Sequence, residues 1–266
     1  MRQGRVPTAL ALVVLCVAVM VTAVAMHGRG RTEPAVGHAP PRAITLTRHL
    51  GPSGSPPLST RRTPAVDCRK TKCVALTFDD GPSRYTASLL NILDARHAKA
   101  TFFQIGPHAL AFPQVARRAY REGFAIGDHT VTHPHLTRIS TARIRYEVRT
   151  AARQIARVTG HAPTIMRPPF GAQDARVRAA VGMPLIMWDV GPRDWKIRKT
   201  PSVERGVLTK VHPGAIVLLH DTYPTTIAAV PHIVDVLHAR GYTLVTVPQL
   251  LAHPGMSPGV AYSHGP

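Results

Sequence analysis

The sequence Val74-Ala-Leu-Thr-Phe-Asp-Asp-Gly-Pro82 decides the fold, because it contains the end of a strand and the start of a turn. The apolar run over residues 74–78 is typical of a buried strand. Asp79 and Asp80 follow it directly, and Gly81-Pro82 then predicts a tight turn. Two adjacent carboxylates require a cation or a proton, so the pair indicates a site for chemistry. The alternative from this stretch alone is a capping aspartate with a solvated neighbour.

Short apolar runs alternate with helical patterns along the chain on both sides of this stretch. Strand patterns cover residues 74–78, 100–105, 124–126, 164–166, 185–188, 215–219 and 243–247. Helical patterns cover residues 85–97, 114–121, 141–158 and 227–238. The alternation predicts an α/β fold with a parallel sheet. About seven units without a dinucleotide glycine pattern favour a distorted (β/α) barrel of about seven parallel strands over a doubly wound sheet.

Acidic residues lie where these strands end, which is the end of a (β/α) barrel that carries the active site. The acids at or beside strand ends are Asp79, Asp80, Asp128, Asp189, Asp194 and Asp221. Solvated acids without a further role would be expected on helix surfaces instead. The distribution therefore indicates chemistry at one end of the barrel.

The segment His129-Thr-Val-Thr-His133 supplies two candidate metal ligands. Histidines at i and i+4 meet on one face of a helical turn, and Pro134 is expected to end that turn quickly. Two imidazoles and one carboxylate suit a divalent metal with open positions for water and substrate. An accidental match is the alternative, since the chain has 15 histidines.

Three further motifs flank strand ends, and each has a structural alternative. His220-Asp221 predicts either a core histidine or a proton donor above the site. Arg167-Pro-Pro-Phe-Gly171 predicts a rigid turn that carries a guanidinium, or a plain surface turn. Trp188-Asp189 and Asp194-Trp195 border another strand end, with simple packing and a helix cap as the alternative.

The N-terminal residues have the pattern of an export segment. Arg2 and Arg5 precede an apolar run from Ala9 to Met26, in which Ala23-Val24-Ala25 has the small residues that a signal peptidase recognises. The run is also long enough to span a bilayer, so residues 1–26 are predicted to be a signal peptide or a membrane anchor. Either places the rest of the chain outside the cytoplasm, secreted or anchored.

Composition divides the remainder of the chain. Residues 27–66 are rich in Pro, Gly, Ser, Thr and Arg and are predicted to be a disordered linker. Residues 67–254 contain the alternating pattern and are predicted to be the catalytic domain, followed by a flexible tail over residues 255–266. The net charge of +19 favours anionic partners such as cell wall, lipid head groups or nucleic acid, with a composition bias as the alternative.

Two cysteines, Cys68 and Cys73, bracket a short basic loop before the first strand. In an exported chain they predict a disulfide, and two free thiols are the alternative. Cys16 lies in the apolar run and has no lipobox around it.

The chain resembles the NodB-type polysaccharide deacetylases, carbohydrate esterase family 4, over residues 67–252. The segments that carry the resemblance, in the family's order, are Thr77-Phe-Asp-Asp-Gly-Pro82, His129-Thr-Val-Thr-His133, Arg167-Pro-Pro-Phe170, Asp194-Trp195 and Leu218-Leu-His220. The resemblance implies that Asp80, His129 and His133 bind one divalent metal ion, commonly zinc, cobalt or manganese.

The resemblance also implies an acid and a base. Asp79 would be the general base that activates water, and Arg167 would orient it. His220 would be the general acid that protonates the leaving amine, tuned by Asp194.

Substrate contacts follow from the same comparison. The metal and the backbone N–H of Phe170 would hold the oxyanion, and Trp195 and Leu218 would line the acetyl pocket. Two positions depart from the family pattern: Phe170 stands where the family often has Tyr, and Gly191 stands at the first position of the usual Asp-x-x-Asp-Trp. The second departure bears on the groove wall and on substrate choice.

Three functions are compatible with these residues. The first is an extracytoplasmic hydrolase that removes N-acetyl groups from peptidoglycan or a chitin-like polymer, and the second is an O-acetyl esterase acting on xylan or another polysaccharide. The third, a non-catalytic basic module that binds wall polymer, predicts loss of a catalytic or metal-binding residue, yet all seven are present. With only 5% aromatic residues, no nucleic-acid partner is expected, and a monomer is the default.

Overall fold

The computed structural model describes residues 66–253 and 255–266, which form an α/β fold around a parallel sheet. The predicted export segment over residues 1–26, and residues 27–65 of the predicted linker, lie outside the described residues. No helix in the described part of the chain is long and apolar enough to cross a membrane.

The strands of the described residues are short, and those at the centre are the longest. They are β1 (Cys73–Asp79), β2 (Ala100–Gln104), β3 (Ala125–Asp128), β4 (Leu185–Ile186), β5 (Ile216–His220), β6 (Thr243–Leu244) and β7 (Ala261–Tyr262). Every residue of β1 and β2 is buried, as expected for parallel strands covered on both faces.

Helices connect and surround the strands. They are α1 (Thr86–Asp94), α2 (Gly106–Ala111), α3 (Pro113–Arg121), α4 (Thr141–Thr159), α5 (Ala175–Val181), α6 (Asp194–Ile197), α7 (Thr200–Leu208), α8 (Pro224–Ala239) and α9 (Val247–Leu250). The predicted bounds of α4 are confirmed: the Ser140 side chain accepts from the N–H of Arg143, and Gly160 ends the helix with φ 84°. Its buried face, including Ile144, Val148 and Ile155, packs toward the sheet.

The strands, with β1 as one member of the circuit, close into a distorted barrel. β1 lies between β2 and β5, β2 pairs with β3, and β6 adds to the start of β1. Isolated parallel bridges continue the circuit from Asp128 to Met166 and from Met166 to Leu185 of β4. A further bridge joins Val190, just after β4, to Val217 of β5, so the circuit returns to β1. The predicted (β/α) barrel class is confirmed.

The predicted strand over residues 164–166 is reduced to one bridging residue, Met166. Pro163 and Pro168 flank it, and because proline has no backbone N–H the ladder cannot extend in either direction. The count of seven strands is reached through β7 instead, which the sequence did not indicate.

Residues 255–266 were expected to be a flexible tail, and the structure corrects this expectation. β7 pairs in parallel with β4 through Ala261 and Tyr262, and the N–H of Gly265 donates to the carbonyl of Gly214 at 2.7 Å. The segment lacks a clear alternating pattern, so its placement depends on backbone hydrogen bonds that side-chain periodicity does not reveal.

The predicted disulfide is confirmed. Cys68 and Cys73 are bonded, with their Cα atoms 5.4 Å apart. Since Cys73 is the first residue of β1, the bond fixes the chain where it enters the barrel.

Candidate active site

A cavity of about 450 Å³ opens at the carboxyl ends of the strands. Its walls are formed by Asp79, Asp80, His129, His133, Pro168, Phe170, Trp188, Trp195, Leu218, His220 and Tyr223. Eight of the ten side chains that the sequence assigned to the site are in this set. The other two, Arg167 and Asp194, are buried against residues of the wall.

Three side chains in the cavity form the Asp80–His129–His133 cluster. Asp80 Oδ1 lies 3.4 Å from Nε2 of His129 and 3.4 Å from Nε2 of His133. Nδ1 of His129 contacts the carbonyl of Arg167 at 2.7 Å. Because that contact requires a proton on Nδ1, Nε2 keeps a lone pair directed at the cluster.

The two histidines meet without a helix, contrary to the predicted helical turn. The segment 129–133 is irregular, and Thr130 (φ 69°) and His133 (φ 53°) both have left-handed backbone conformations. These two reversals bring the imidazole ring centroids to 4.9 Å. The i,i+4 spacing therefore predicted that His129 and His133 lie close together, but the helical turn that it assumed is absent from this segment.

Two buried carboxylates hold this loop, and the sequence did not connect either with the histidines. Asp128 Oδ1 accepts from the N–H of Thr130 at 2.7 Å. Glu147, on α4, accepts from the N–H of Val131 and from both the N–H and the hydroxyl of Thr132. Burial raises the pKa of Asp128 to about 7, although the Thr130 hydrogen bond acts in the opposite direction.

The Asp80–His129–His133 cluster fits a divalent metal ion. One oxygen, one imidazole nitrogen and another imidazole nitrogen lie within 4.8 Å of one another. Asp80 Oδ1 is buried and accepts no hydrogen bond from the described residues, which is costly unless a cation occupies the site. Burial alone would raise the pKa of Asp80, but the neighbouring imidazoles of His129, His220 and His133 lower it to about 2. The carboxylate is thus ionised and available as a ligand.

Arg167 is fully buried and fixes Asp79 beside the cluster. Its Nη1 donates to Asp79 Oδ1 at 2.8 Å and to Thr77 Oγ1 at 2.6 Å. Nε and Nη2 donate to the carbonyls of Ile186 and Met187, both at 2.9 Å. The guanidinium therefore joins β1 to β4 through four hydrogen bonds and neutralises the Asp79 carboxylate.

His220 ends β5, where it is the register partner of Asp79 in β1, and it is supported by Asp194. Its Nδ1 contacts Asp194 Oδ1 at 2.9 Å, and its backbone N–H donates to Oδ2 at 2.8 Å. The hydroxyl of Thr226 completes the shell around Oδ2 at 2.8 Å. Burial alone would lower the pKa of His220, but the Asp194 hydrogen bond and the charges of Asp194, Asp79 and Asp80 raise it to about 9. The imidazole is therefore protonated at neutral pH.

One acid assigned to the active end of the barrel is directed elsewhere. Asp189 Oδ1 accepts from the N–H of Ile216 at the start of β5, and Oδ2 lies 2.8 Å from Nε2 of His212. Asp189 therefore caps the amino end of a strand, and the strand-end rule was wrong for it.

Aromatic residues form the outer wall. Phe170 is 64% exposed, has φ 60°, and stacks on His135 with ring centroids 5.3 Å apart. Trp195 is also exposed, and Leu218 lines the cavity from β5. All three residues line the cavity.

Known proteins are similar to this chain in sequence and in structure. Residues 67–183 match the family model described as Polysaccharide deacetylase. A chitooligosaccharide deacetylase of Bradyrhizobium sp. (strain ANU 289) is 37% identical over 203 residues, covering 69% of this chain and 93% of that protein. The chain belongs to the polysaccharide deacetylase family. The resemblance to the NodB-type enzymes is thereby confirmed.

Two further members of the polysaccharide deacetylase family give the scale of the similarity. Peptidoglycan-N-acetylglucosamine deacetylase PgdA of Listeria monocytogenes serotype 1/2a (strain 10403S) is 39% identical over 194 residues, covering 72% of this chain. The chain spans 42% of the length of that relative. A solved structure described as T48 deacetylase with substrate has 43% identity and a TM-score of 0.73, and covers 74% of this chain and 100% of that one.

Several residues of this polysaccharide deacetylase site were not assigned from the sequence. Trp188, Tyr223 and Pro168 line the cavity. Gly191 lies beside Trp188, because a Cβ at Gly191 would be 3.3 Å from the indole Nε1. Gly191, where the chain departs from the family's Asp-x-x-Asp-Trp pattern, therefore borders the cavity wall. The motif Trp188-Asp189 was the feature of the sequence that could have identified this part of the wall.

Proposed function

We propose that the chain is a metal-dependent hydrolase that removes N-acetyl groups from a cell-surface polysaccharide, either peptidoglycan or a chitin-like polymer of N-acetylglucosamine. One observation carries the proposal. A single cavity contains a ligand cluster for a metal, a carboxylate fixed by Arg167, and the protonated His220. Amide hydrolysis needs a metal or base to activate water, a stabilised oxyanion and a proton for the leaving amine.

Asp80, His129 and His133 would hold one divalent ion such as zinc, cobalt or manganese. When bound, such an ion acidifies water and polarises a carbonyl oxygen. The remaining side chains then divide the proton transfers between them.

Asp79 is the proposed general base. Its Oδ1 is held by Arg167, so the side chain cannot rotate toward the ligand cluster. Its Oδ2 lies 3.8 Å from Nε2 of His129 and accepts no hydrogen bond from the described residues, which leaves it available to take a proton from water. Asp80, in contrast, faces both histidines and is the proposed ligand.

His220 is the proposed general acid. Asp194 holds Nδ1, so the proton on Nε2 is the one that can pass to the departing amine. Because its pKa is raised to about 9, the imidazole carries this proton throughout the neutral range.

The acetyl group would enter between Trp195 and Leu218, and the backbone N–H of Phe170 would donate to the oxyanion. A backbone donor does not depend on the side chain, so Phe170 in place of Tyr removes only a hydroxyl. Asp194 and Arg167 orient the acid and the base, respectively.

The relatives support the substrate class. Two of them carry names that specify peptidoglycan N-acetylglucosamine and chitooligosaccharide. A substrate of the first kind lies outside the cytoplasm, which agrees with the proposed export or membrane anchoring through residues 1–26. The proposed partners are therefore a polysaccharide and, if the N-terminal segment is retained, a membrane.

Acetate release tests the proposal. The full chain should release acetate from N-acetylated oligosaccharides only with a divalent metal present, and unchanged turnover after exhaustive chelation would contradict the mechanism. Asp79→Asn should abolish turnover while the protein still binds metal, because the amide cannot accept the proton. Near-normal rates in that variant would refute the assignment of the base.

The same assay separates the alternatives. Peptidoglycan, chitin oligomers and acetylxylan should be compared at equal acetyl concentration. Release from acetylxylan alone would favour the O-acetyl esterase, and release from none would favour the non-catalytic module.

A further inference from the structure

A segment rich in exposed cations surrounds Trp195, a residue of the cavity wall. We call it the cationic rim, and it consists of Arg193, Lys196, Arg198 and Lys199. All four residues are exposed, whereas the one acid among them, Asp194, is 1% exposed and faces inward. Among the ion pairs of the described residues none involves a member of the rim. The outward face of this segment is therefore uniformly positive.

Arg198 ties the rim to the cavity wall. Its guanidinium carbon lies 4.6 Å from the centroid of the Tyr223 ring, and its Nε donates to the carbonyl of Trp195 at 3.1 Å. Tyr223 and Trp195 both line the cavity. The two terminal nitrogens of Arg198 make no hydrogen bond to the described residues, so they are free to bind a ligand at the mouth.

Two carboxylates of the site have cationic partners of their own and do not neutralise the rim. Asp79 is neutralised by Arg167, and Asp194 by His220. Exposed cations beside a cleft attract anions and align them during encounter, whereas a neutral ligand gains nothing from them. An exposed basic face far from the site would carry no such consequence.

We infer that the cationic rim binds the carboxylate of an anionic glycan, and that it makes the site selective for N-acetylated sugars that carry a carboxylate over neutral ones. The inference rests on the proposed function, because it places the acetamide in the cavity. A carboxylate on an ether substituent next to the acetamide, or on the neighbouring sugar, would then lie at the mouth. Peptidoglycan carries such a group on the lactyl ether of those sugars that have no attached peptide, and chitin-like polymers carry none.

The test compares two soluble substrates of equal length: a neutral N-acetylglucosamine oligomer, and an oligomer in which alternate sugars carry a lactyl carboxylate. The measured quantity is the ratio of kcat/KM for the anionic to the neutral substrate. Arg198→Glu and Lys196→Glu should each lower this ratio roughly five- to tenfold, mainly through KM for the anionic substrate. Arg198 contacts both Trp195 and Tyr223, whereas the Lys196 side chain forms no hydrogen bond with either among the described residues. Lys196→Glu therefore tests the effect of charge without removing a contact to the cavity wall.

Arg149→Glu provides the matched control, because Arg149 is exposed on the outer face of α4 and is not part of the cavity. It makes the same change in net charge and should leave the ratio unaltered. Raising the salt from about 0.01 M to about 1 M shortens the screening length from about 30 Å to about 3 Å, and should reduce the wild-type ratio.

An unchanged ratio in both rim variants, or an equal fall in the Arg149 variant, would overturn the inference. So would an equal loss on both substrates in both rim variants. Failure of the proposed function has a different signature, which is the absence of metal-dependent acetate release from either substrate by the wild-type protein. In that case the affinity for the anionic oligomer, measured by calorimetry, still decides the inference. Weaker binding by both rim variants than by the Arg149 variant would support it. Equal binding by all three variants would refute it.

Discussion

The interaction between Asp194 and His220 allows a quantitative prediction about pH. The substitution Asp194→Asn keeps the size of the side chain and can still accept from the Thr226 hydroxyl, but it removes the charge that stabilises the imidazolium. The pKa of His220 should then fall from about 9 to its ordinary 6.5 or below, because burial continues to favour the neutral ring. This drop of about 2.5 units corresponds to about 3 kcal/mol at about 1.4 kcal/mol per unit.

The consequence for turnover depends on pH. A raised pKa keeps the acid protonated up to about pH 9, and activity is lost only above that value. In Asp194→Asn the loss should begin near pH 6.5, so that at pH 8 roughly 3% of His220 is protonated, against roughly 90% in the wild type. The variant should therefore be about 30-fold slower at pH 8 and close to the wild type at pH 6.

The assay is kcat/KM for acetate release from a soluble N-acetylated oligosaccharide at fixed metal concentration, measured from acid to alkaline pH. Nitrogen NMR of the labelled His220 ring gives the pKa directly. Thr226→Val is the control, because it removes one hydrogen bond from Asp194 but leaves the charge. If the variant is slower than the wild type by the same factor at pH 6 and pH 8, Asp194 acts only by positioning His220 and the reasoning is refuted.

Three further predictions concern the ligand cluster and its supports. His133→Ala should weaken metal binding by removing one of three ligands, and unchanged affinity in calorimetry would exclude His133 as a ligand. Gly81→Ala should destabilise the fold and reduce turnover, because its Cβ would clash with the buried carboxylate of Asp221. A wild-type melting temperature together with a wild-type rate of acetate release would contradict this packing. Arg167→Met should lower the free energy of unfolding by about 3–5 kcal/mol, since it leaves the Asp79 carboxylate buried without its partner, and chemical denaturation at pH 7 measures this.

The sequence predicted the parts of the fold that depend on local pattern. β1, β2 and α4 were identified because a continuous apolar run, or a capped helical period with Gly160 at its end, is sufficient to define them. The single-residue bridge at Met166 and the pairing of β7 depend on neighbours that are distant in the chain, so periodicity could not reveal them.

The site shows the same division. Eight of the residues that line the cavity were found because short motifs carry them, and His129 with His133 is the clearest case. What supports those motifs was missed: Glu147 lies on a helix whose pattern indicates only an amphipathic face, yet it holds the loop between the histidines. Asp189 was assigned to the site by rule, although its side chain turns toward the other end of β5.

The pairing of β7 determines where this protein can be shortened. The family resemblance ends near residue 252, so a truncation after that point would be the natural choice for recombinant work. Such a truncation would strip β4 of its partner and expose a strand edge, which is a known route to aggregation. It would also loosen the segment Ile186–Met187, whose carbonyls accept from Arg167, so a shortened protein would hold Asp79 less firmly while every residue of the cavity remains present.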